Sequence, residues 1–180
     1  MRPALELTSI PVWATQPTCP TADLSGRYWT IIAIGEAGMQ VARRWDAEVA
    51  AVGGRPRSQL HSTPEDAGDS AGAVLRAALA EARVGWRLMV AGPAHLCLQV
   101  RALALAAGVA DDEITVASTR IDVRAVHCVH CRTVTTAAVG LEDVVACSGC
   151  ERNLVVHYHV SRRKGAHLGY QVDAEQQAAS

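Results

Sequence analysis

The sequence predicts an α/β protein in which a parallel-sheet domain is followed by a small β domain that holds a metal ion. Short apolar runs alternate with segments of helical periodicity up to about residue 119, which is typical of parallel sheets covered by helices. From residue 120 onwards apolar and polar residues alternate, and two Cys-x-x-Cys pairs appear. We therefore divide the chain into an extended arm (1–26), an α/β domain (27–119) and a zinc-ribbon domain with a C-terminal tail (120–180).

The arm is rich in proline and threonine, which predicts an extended segment with little regular structure of its own. Val12 and Trp13 are the residues expected to anchor it to a surface. A frayed terminus is the alternative interpretation.

The strands of the α/β domain are recognised from short runs of aliphatic and β-branched residues bounded by glycine, proline or polar residues. A more polar segment between two proline-containing loops is predicted as a short edge strand. The four predicted strands are residues 28–34, 58–61, 87–91 and 114–117.

Three helices are predicted between these strands, each with an apolar stripe that packs on the sheet. Residues that favour helix ends mark their limits: Asp69 or Ser70 caps the second helix, Pro93 opens the third, and the first and third end at Gly53–Gly54 and Gly108. The three stripes consist of Val41, Trp45, Val49 and Val52; of Val74, Leu75, Ala78, Leu79 and Ala82; and of Leu96, Val100 and Leu103.

The composition is that of a folded chain whose core is aliphatic. Of the 180 residues 49% are hydrophobic, but only 4% are aromatic and phenylalanine is absent. The formal net charge is −1, and without a basic face we expect no nucleic acid among the partners. No apolar stretch reaches the length of a membrane span, and the first residues lack the apolar region of a secretory signal. We therefore expect a cytoplasmic protein that does not bind membranes.

Residues 88–93, the helix after them and the strand at 114–117 resemble the last βαβ unit of ferredoxin–NADP reductase-type nucleotide domains. The resemblance covers residues 28–119 and implies a Rossmann-like sheet, with its Gly-Pro turn beside the nicotinamide end of a cofactor. The first glycine-rich turn of that family corresponds to the turn predicted at 35–38. Free N–H groups and the positive dipole end at such strand–helix turns favour a phosphate. The candidate cofactor-binding residues are therefore Gly35, Gly38, Gly92 and Pro93.

The resemblance departs from the family at two points. Ala91 stands where that family usually has a cysteine before the Gly-Pro turn. No flavin-binding domain accompanies the α/β segment in this sequence. We therefore expect a reductase-like fold without hydride chemistry, and a helix-start turn that binds no ligand is the alternative for both glycine turns.

The two Cys-x-x-Cys pairs, separated by 15 residues, predict one structural zinc site. Each pair supplies two thiolates from a tight knuckle, and four thiolates complete a tetrahedron. The intervening residues 133–136 and 141–145 are predicted as the arms of a hairpin that turns near Gly140, and residues 153–160 as the third strand of a zinc ribbon. The ligands are Cys128, Cys131, Cys147 and Cys150.

Several alternatives at this site stay open. Iron bound by four cysteines is the main rival of zinc, because the same ligands suit both metals. His127 and His130 lie at the first knuckle and could replace a ligand, but they are expected to lie beside the ligands without binding the metal, or in solvent. Arg132 and Glu151 follow the second cysteine of each pair, where knuckles often place glycine because φ is positive. Outside the pairs, Cys97 is predicted to be a small core residue and Cys19 has no assigned role.

The C-terminal segment carries a second resemblance. The cysteine pairs, the sequence VHYHVSRR at 156–163, GAHLGY at 165–170 and DAE at 173–175 resemble the C-terminal domain of the DmmA-like small subunit of dimethylamine monooxygenase. With the α/β half, the resemblance spans residues 28–176. It implies a subunit of a complex related to haem-dependent oxidative N-demethylases, with haem, FMN and an iron–sulfur cluster on partner subunits and no catalytic residue in this chain.

The implied reaction is the NAD(P)H- and O2-dependent demethylation of a small secondary amine. The segment 157–175 is predicted to dock a redox partner, with His157 and His159 on one strand face and Tyr158 on the other. Its predicted contact residues are His157, His159, Arg162, Arg163, His167, Leu168 and Tyr170.

Two other functions compete with this one. A free-standing nucleic-acid-binding zinc ribbon would use Arg152, Arg162, Arg163 and Lys164 as its basic patch. A small NAD(P)H-dependent reductase component would borrow its flavin from another protein.

Overall fold

The computed structural model describes residues 4–52, 58–66 and 69–172, except for the side chain of Glu6. The expected helix end at Gly53–Gly54, the motif residues 173–175 and the predicted frayed tail lie outside the described residues. Short 3-10 helices lie at Leu5–Leu7, Val12–Ala14 and Asp111–Glu113. The α-helices and strands are β1 (Tyr28–Ile34), α1 (Gly35–Ala50), β2 (Ser58–Thr63), α2 (Ser70–Glu81), β3 (Trp86–Gly92), α3 (Ala94–Ala106), β4 (Ile114–Ser118), β5 (Val123–Cys128), β6 (Val134–Ala138), β7 (Val144–Ala146), β8 (Asn153–Ser161) and β9 (Ala166–Gln171).

The first sheet has the strand order β2-β1-β3-β4, and all its pairs are parallel. Both of its faces are covered by helices. On β1, Ile31 packs with Trp45 of α1, whereas the next residue, Ile32, packs with Leu75 of α2 on the opposite face. Strands buried on both faces have continuous apolar sequences, which is why β1 and β3 are detectable in the sequence. The predicted α/β class and the parallel sheet are confirmed.

The ends of the helices differ in detail from the prediction. The predicted turn at 35–38 is the first turn of α1, and Gly35 alone, with φ +73°, redirects the chain from β1. Asp69 occupies the N-cap position of α2, but its side chain forms no capping hydrogen bond and pairs instead with Arg76. Pro93 lies at the N-cap of α3, one position before the predicted first turn.

Three residues of the predicted apolar stripes are exposed, namely Val52, Ala82 and Leu103. Val52 and Ala82 lie beyond the ends of α1 and α2. On α3 the buried surface is wider than one stripe, because Cys97 packs toward the first sheet while Leu98 packs in a separate cluster with β8. A single-stripe prediction fails for a helix that lies between two sheets.

The second sheet has the order β6-β5-β9-β8-β7. Its pairs are antiparallel except for β5 with β9. The predicted hairpin between residues 133–136 and 141–145 is wrong, because the strands in those segments, β6 and β7, lie at opposite edges of the sheet. The central strand β9 was not predicted as a strand. Its position depends on parallel pairing with β5, a contact between residues distant in sequence that local patterns do not reveal.

The helix α3 connects the two sheets physically. A Cβ atom at Gly165, in the turn between β8 and β9, would lie 2.5 Å from the carbonyl oxygen of Leu98, so the backbones meet where no larger residue fits. Arg101 of α3 binds the Asp111 carboxylate at 2.6 Å, and Arg162 approaches the same carboxylate at 3.4 Å. The second sheet therefore packs on the first through α3.

The arm is packed against the protein over its described residues. Thr18 forms an isolated antiparallel bridge with Ser118 at the edge of β4. Trp13 packs on two buried clusters, as an anchor should. The other predicted anchor, Val12, is 61% exposed, so that part of the prediction is wrong.

Candidate metal centre

The four paired cysteines come together on one face of the second sheet. Cys128 is the last residue of β5 and Cys147 follows β7 directly, so each knuckle begins where a strand ends. Cys131 and Cys150 complete the pairs. The four Sγ atoms all lie within 4.8 Å of one another, and this single cluster can hold a metal ion.

The two knuckles have the same backbone geometry. The amide of each first cysteine donates to the carbonyl five residues later, and its carbonyl accepts from the amide four residues later, each at 2.9 Å. Arg132 and Glu151, which follow the second cysteines, have φ values of +68° and +60°. These are the left-handed values expected at that position of a knuckle, and they cost roughly 1–2 kcal/mol for each residue other than glycine. Metal ligation is a natural source of compensation for that strain.

The sulfur–sulfur distances match a tetrahedral site. Cys131 and Cys147 have their Sγ atoms 3.5 Å apart, and those of Cys128 and Cys150 are 3.8 Å apart. Zinc–sulfur bonds of about 2.3 Å in a tetrahedron place the sulfurs about 3.8 Å apart. The donor set and its spacing therefore fit a thiolate-bound ion such as zinc.

The surroundings of the cluster lower the pKa of two cysteines, Cys131 and Cys147, and raise that of Cys150. The hydroxyl and then the backbone amide of Thr133 lower the pKa of Cys131 to about 6. The Gly149 amide, 3.4 Å from the sulfur, lowers the pKa of Cys147. Around Cys150 the Arg152 backbone amide lowers the pKa, but desolvation and the neighbouring thiols outweigh it and raise the pKa to about 11. A bound cation lowers the pKa of all the cysteines it contacts, so that all four are thiolates together.

The two histidines at the first knuckle are not part of the cluster. His130 is exposed and contacts Arg152. His127 is only 8% exposed, and neither of its ring nitrogens has a hydrogen-bond partner among the described residues. Its side chain lies on the face of the sheet opposite the cysteines, between Val134 and Leu168 in the strand register.

The cysteines outside the pairs lie far from this chemistry. Cys97 is fully buried, its Sγ is 3.5 Å from the carbonyl oxygen of Gly92, and burial raises its thiol pKa far above the usual range. Its predicted role as a small core residue is confirmed by its place in the first core. Cys19 is exposed in the arm.

The predicted phosphate position at the start of α1 is covered by a carboxylate of the chain itself. The side chain of Glu65 lies directly over Gly35, in the space that a Cβ atom there would need. Arg120 holds the Glu65 carboxylate at 2.9 Å. A carboxylate at a helix N-terminus occupies the same favourable field that a phosphate would.

The other predicted cofactor residues lie in close backbone contacts. A Cβ atom on Gly38 would collide with the carbonyl oxygen of Ala91, and one on Gly92 would lie 2.7 Å from Cβ of Ile34. These glycines allow α1, β1 and β3 to approach one another, which accounts for them without a ligand. Nucleotide binding at Gly35, Gly38, Gly92 and Pro93 stays a prediction.

The predicted docking segment is only partly a surface. His157 and His159 are exposed on β8, and Tyr170 is 41% exposed. His167 is 2% exposed, so its prediction as a contact residue is wrong. It lies on the central strand, next to Ala94 and Leu98 of α3. Arg162 already pairs with Asp111 of the same chain.

The segment that contains the cysteine cluster matches a known family. Residues 125–170 match the family model of the dimethylamine monooxygenase subunit DmmA-like C-terminal domain. The match runs from β5 to β9 and includes both knuckles, so the resemblance drawn from the C-terminal motifs is confirmed.

A curated relative extends the similarity. The chain is 41% identical over 103 residues to the heme-dependent oxidative N-demethylase delta subunit of Ectopseudomonas mendocina (strain ymp). The aligned region is 57% of this chain and 58% of that protein. No solved structure matches the chain. Among the described residues, no helix has both the length and the apolar character required to cross a bilayer.

Proposed function

We propose that this chain is the accessory, zinc-binding subunit of a multi-subunit dimethylamine monooxygenase in the cytoplasm. In that complex NAD(P)H and O2 convert a secondary amine into a primary amine, formaldehyde and water. Haem, FMN and an iron–sulfur cluster would reside on the partner subunits. The observation that carries the proposal is that the DmmA-like match falls on the segment that contains the four-cysteine cluster.

The role proposed for the zinc is structural. Four thiolates fill the coordination sphere and leave no position for water or substrate. The knuckles hold the ends of β5 and β7 and the start of β8 against one another, so the metal would fix the shape of the second sheet. This chain would then support assembly and electron transfer between partners without carrying an electron itself.

The first sheet is proposed to be a Rossmann-like, reductase-related domain that ends near residue 119 and performs no hydride transfer. Its strand order, with the reversal between β1 and β3, is found in doubly wound sheets. The carboxylate of Glu65 over Gly35 supports a turn that is closed to a cofactor phosphate. Ala91 before the Gly-Pro turn supports the same conclusion.

Co-expression with the haem and the flavin/iron–sulfur subunits of such a complex tests the proposal. We expect the chain to co-purify with them at a fixed ratio, with about one zinc and little iron per chain by elemental analysis. Purification of the chain alone from cells that contain those subunits would show that the assembly role is wrong. If the chain in the intact complex is red and contains iron, the bound metal is iron and not zinc. The proposed role in assembly would be unaffected by that result.

A further inference from the structure

The second sheet has an outer face, which we define as the side chains directed away from the cysteine cluster. Strand register identifies its members. Val134, His127 and Leu168 form one row across β6, β5 and β9. A second row runs across β7, β8 and β9 and consists of Val144, Val155 and Tyr170. Because Leu168 and Tyr170 are two residues apart on β9, both rows belong to one surface that spans all five strands.

Several side chains of the outer face are exposed, and none of those contributed by the strands is charged. Val134, Val144 and Tyr170 are 41%, 52% and 41% exposed. Arg124 is the one Lys, Arg, Asp or Glu residue in β5–β9, all of which the structure describes, and strand alternation places it on the cysteine face. A solvated face of a mostly antiparallel sheet normally carries polar side chains. The outer face also carries the exposed polar residues Thr136, Asn153 and His157, but its exposed valines and Tyr170 form apolar surface of the kind that marks interaction sites.

Two further features point to a partner on this face. His157 and Tyr170 stack edge to face with ring centroids 5.3 Å apart, which holds an exposed tyrosine in place, and ordered tyrosines are frequent anchors of interfaces. In the first row, the buried ring of His127 lacks hydrogen-bond partners among the described residues. Buried polar groups normally have such partners, and a bound subunit is a source of them.

We propose that the outer face is the docking surface for an apolar, uncharged patch on a folded redox subunit, an inference that rests on the proposed function. The absence of charged residues from the strands of this face favours an uncharged partner surface. Nucleic acids and anionic lipid surfaces are bound through lysine and arginine, which the strands of this face do not offer. The exposed basic residues Arg132, Arg163 and Lys164 lie in the knuckle and in the β8–β9 turn, outside the strands. Arg132 and Lys164 lie near His127 and border the first row.

The test places a charge on the outer face and the same charge elsewhere on the surface. Val144→Glu and Tyr170→Glu alter the outer face, and Val84→Glu is the matched control, because Val84 is 95% exposed in the turn before β3. Each protein is co-expressed with the haem and flavin/iron–sulfur subunits. Complex formation is measured by size-exclusion chromatography and native mass spectrometry, with zinc content and melting temperature as checks of folding.

We expect Val144→Glu and Tyr170→Glu to weaken assembly at least about tenfold, because a buried charge would lack a partner, while Val84→Glu assembles normally and all three retain zinc. If the wild type assembles and both face variants assemble equally well, the docking surface is elsewhere and the proposed function survives. If the wild type does not assemble, both proposals are wrong. A wild-type homodimer that Val144→Glu dissociates would identify the occupant as a second copy and overturn the choice of partner.

Discussion

The faces of the two sheets of this protein are covered in different ways. The first has apolar residues on both faces and helices over both, so its strands are buried by the chain's own side chains. The second has one face covered by α3, by two cysteine knuckles and by a small apolar cluster, and much of its other face is exposed. The first sheet can therefore be stable as it stands, whereas the second is expected to depend on a metal on one side and a partner on the other.

The largest effect should come from removing a metal ligand. We expect Cys147→Ser to unfold β5–β9, because structural zinc sites contribute on the order of 10 kcal/mol to folding. Hydrogen exchange should then show lost protection in those strands and retained protection in β1 and β3. Cys19→Ser is the matched control, since Cys19 is exposed and outside the cluster. Equal protection of both sheets in Cys147→Ser would remove the contrast between them.

A substitution in the core of the first sheet tests the other half of the comparison. Ile32 is fully buried between β1 and α2, and its replacement by alanine should lower the free energy of unfolding by about 3–4 kcal/mol through a cavity. Protection should fall in β1 and β3 while zinc content stays unchanged. Val52→Ala, at a position that is 54% exposed, should have little effect. Loss of zinc from Ile32→Ala would show that the two sheets fold as one unit.

A smaller effect concerns the pH dependence of the second sheet. Burial, and then the nearby Arg124 guanidinium, lower the pKa of His167 to about 4. A histidine kept neutral in the fold takes up its proton more readily in the unfolded chain, so its contribution is complete above about pH 6.5 and is lost as the pH falls toward 4. The loss should reach about 3 kcal/mol.

The measurement compares the wild type with His167→Gln, which stays neutral throughout this range. Unfolding by denaturant between pH 4 and 7 should show a shallower pH dependence for the variant, with zinc content followed in the same samples. Parallel curves for the two proteins would mean that His167 is not responsible.

The smallest effect is expected at the start of α1. The isolated chain should not oxidise NADH or NADPH with a soluble dye as electron acceptor, because Glu65 covers the turn at Gly35 and Arg120 holds it there. Glu65→Gln keeps the shape and removes the charge, so any residual phosphate affinity of the turn should appear in this variant first. Robust turnover by the flavin-free wild type would contradict the proposed loss of hydride chemistry.

Local sequence patterns predicted the elements of the first sheet well for a physical reason. Its central strands β1 and β3 are buried on both faces and therefore carry continuous apolar runs, and its helices begin at Gly35 or directly after Asp69 and Pro93. The errors occurred where a side chain has a partner that the local pattern does not indicate. On α3, Leu98 faces the second sheet instead of solvent, and the carboxylate of Asp69 pairs with Arg76 instead of capping its helix.

The sequence by itself determined the candidate ligands, the parallel α/β arrangement and the resemblance to DmmA-like subunits, because each depends on residue types at short spacing. Only the tertiary structure decided the order of the second sheet, the central place of β9 and the burial of His167. Those features follow from pairing between β5 and β9, whose register matches Val126 with His167. Backbone hydrogen bonds between distant segments are nearly independent of side-chain identity, so no local pattern encodes them. The exposed, uncharged outer face is a consequence of that pairing and became visible only with it.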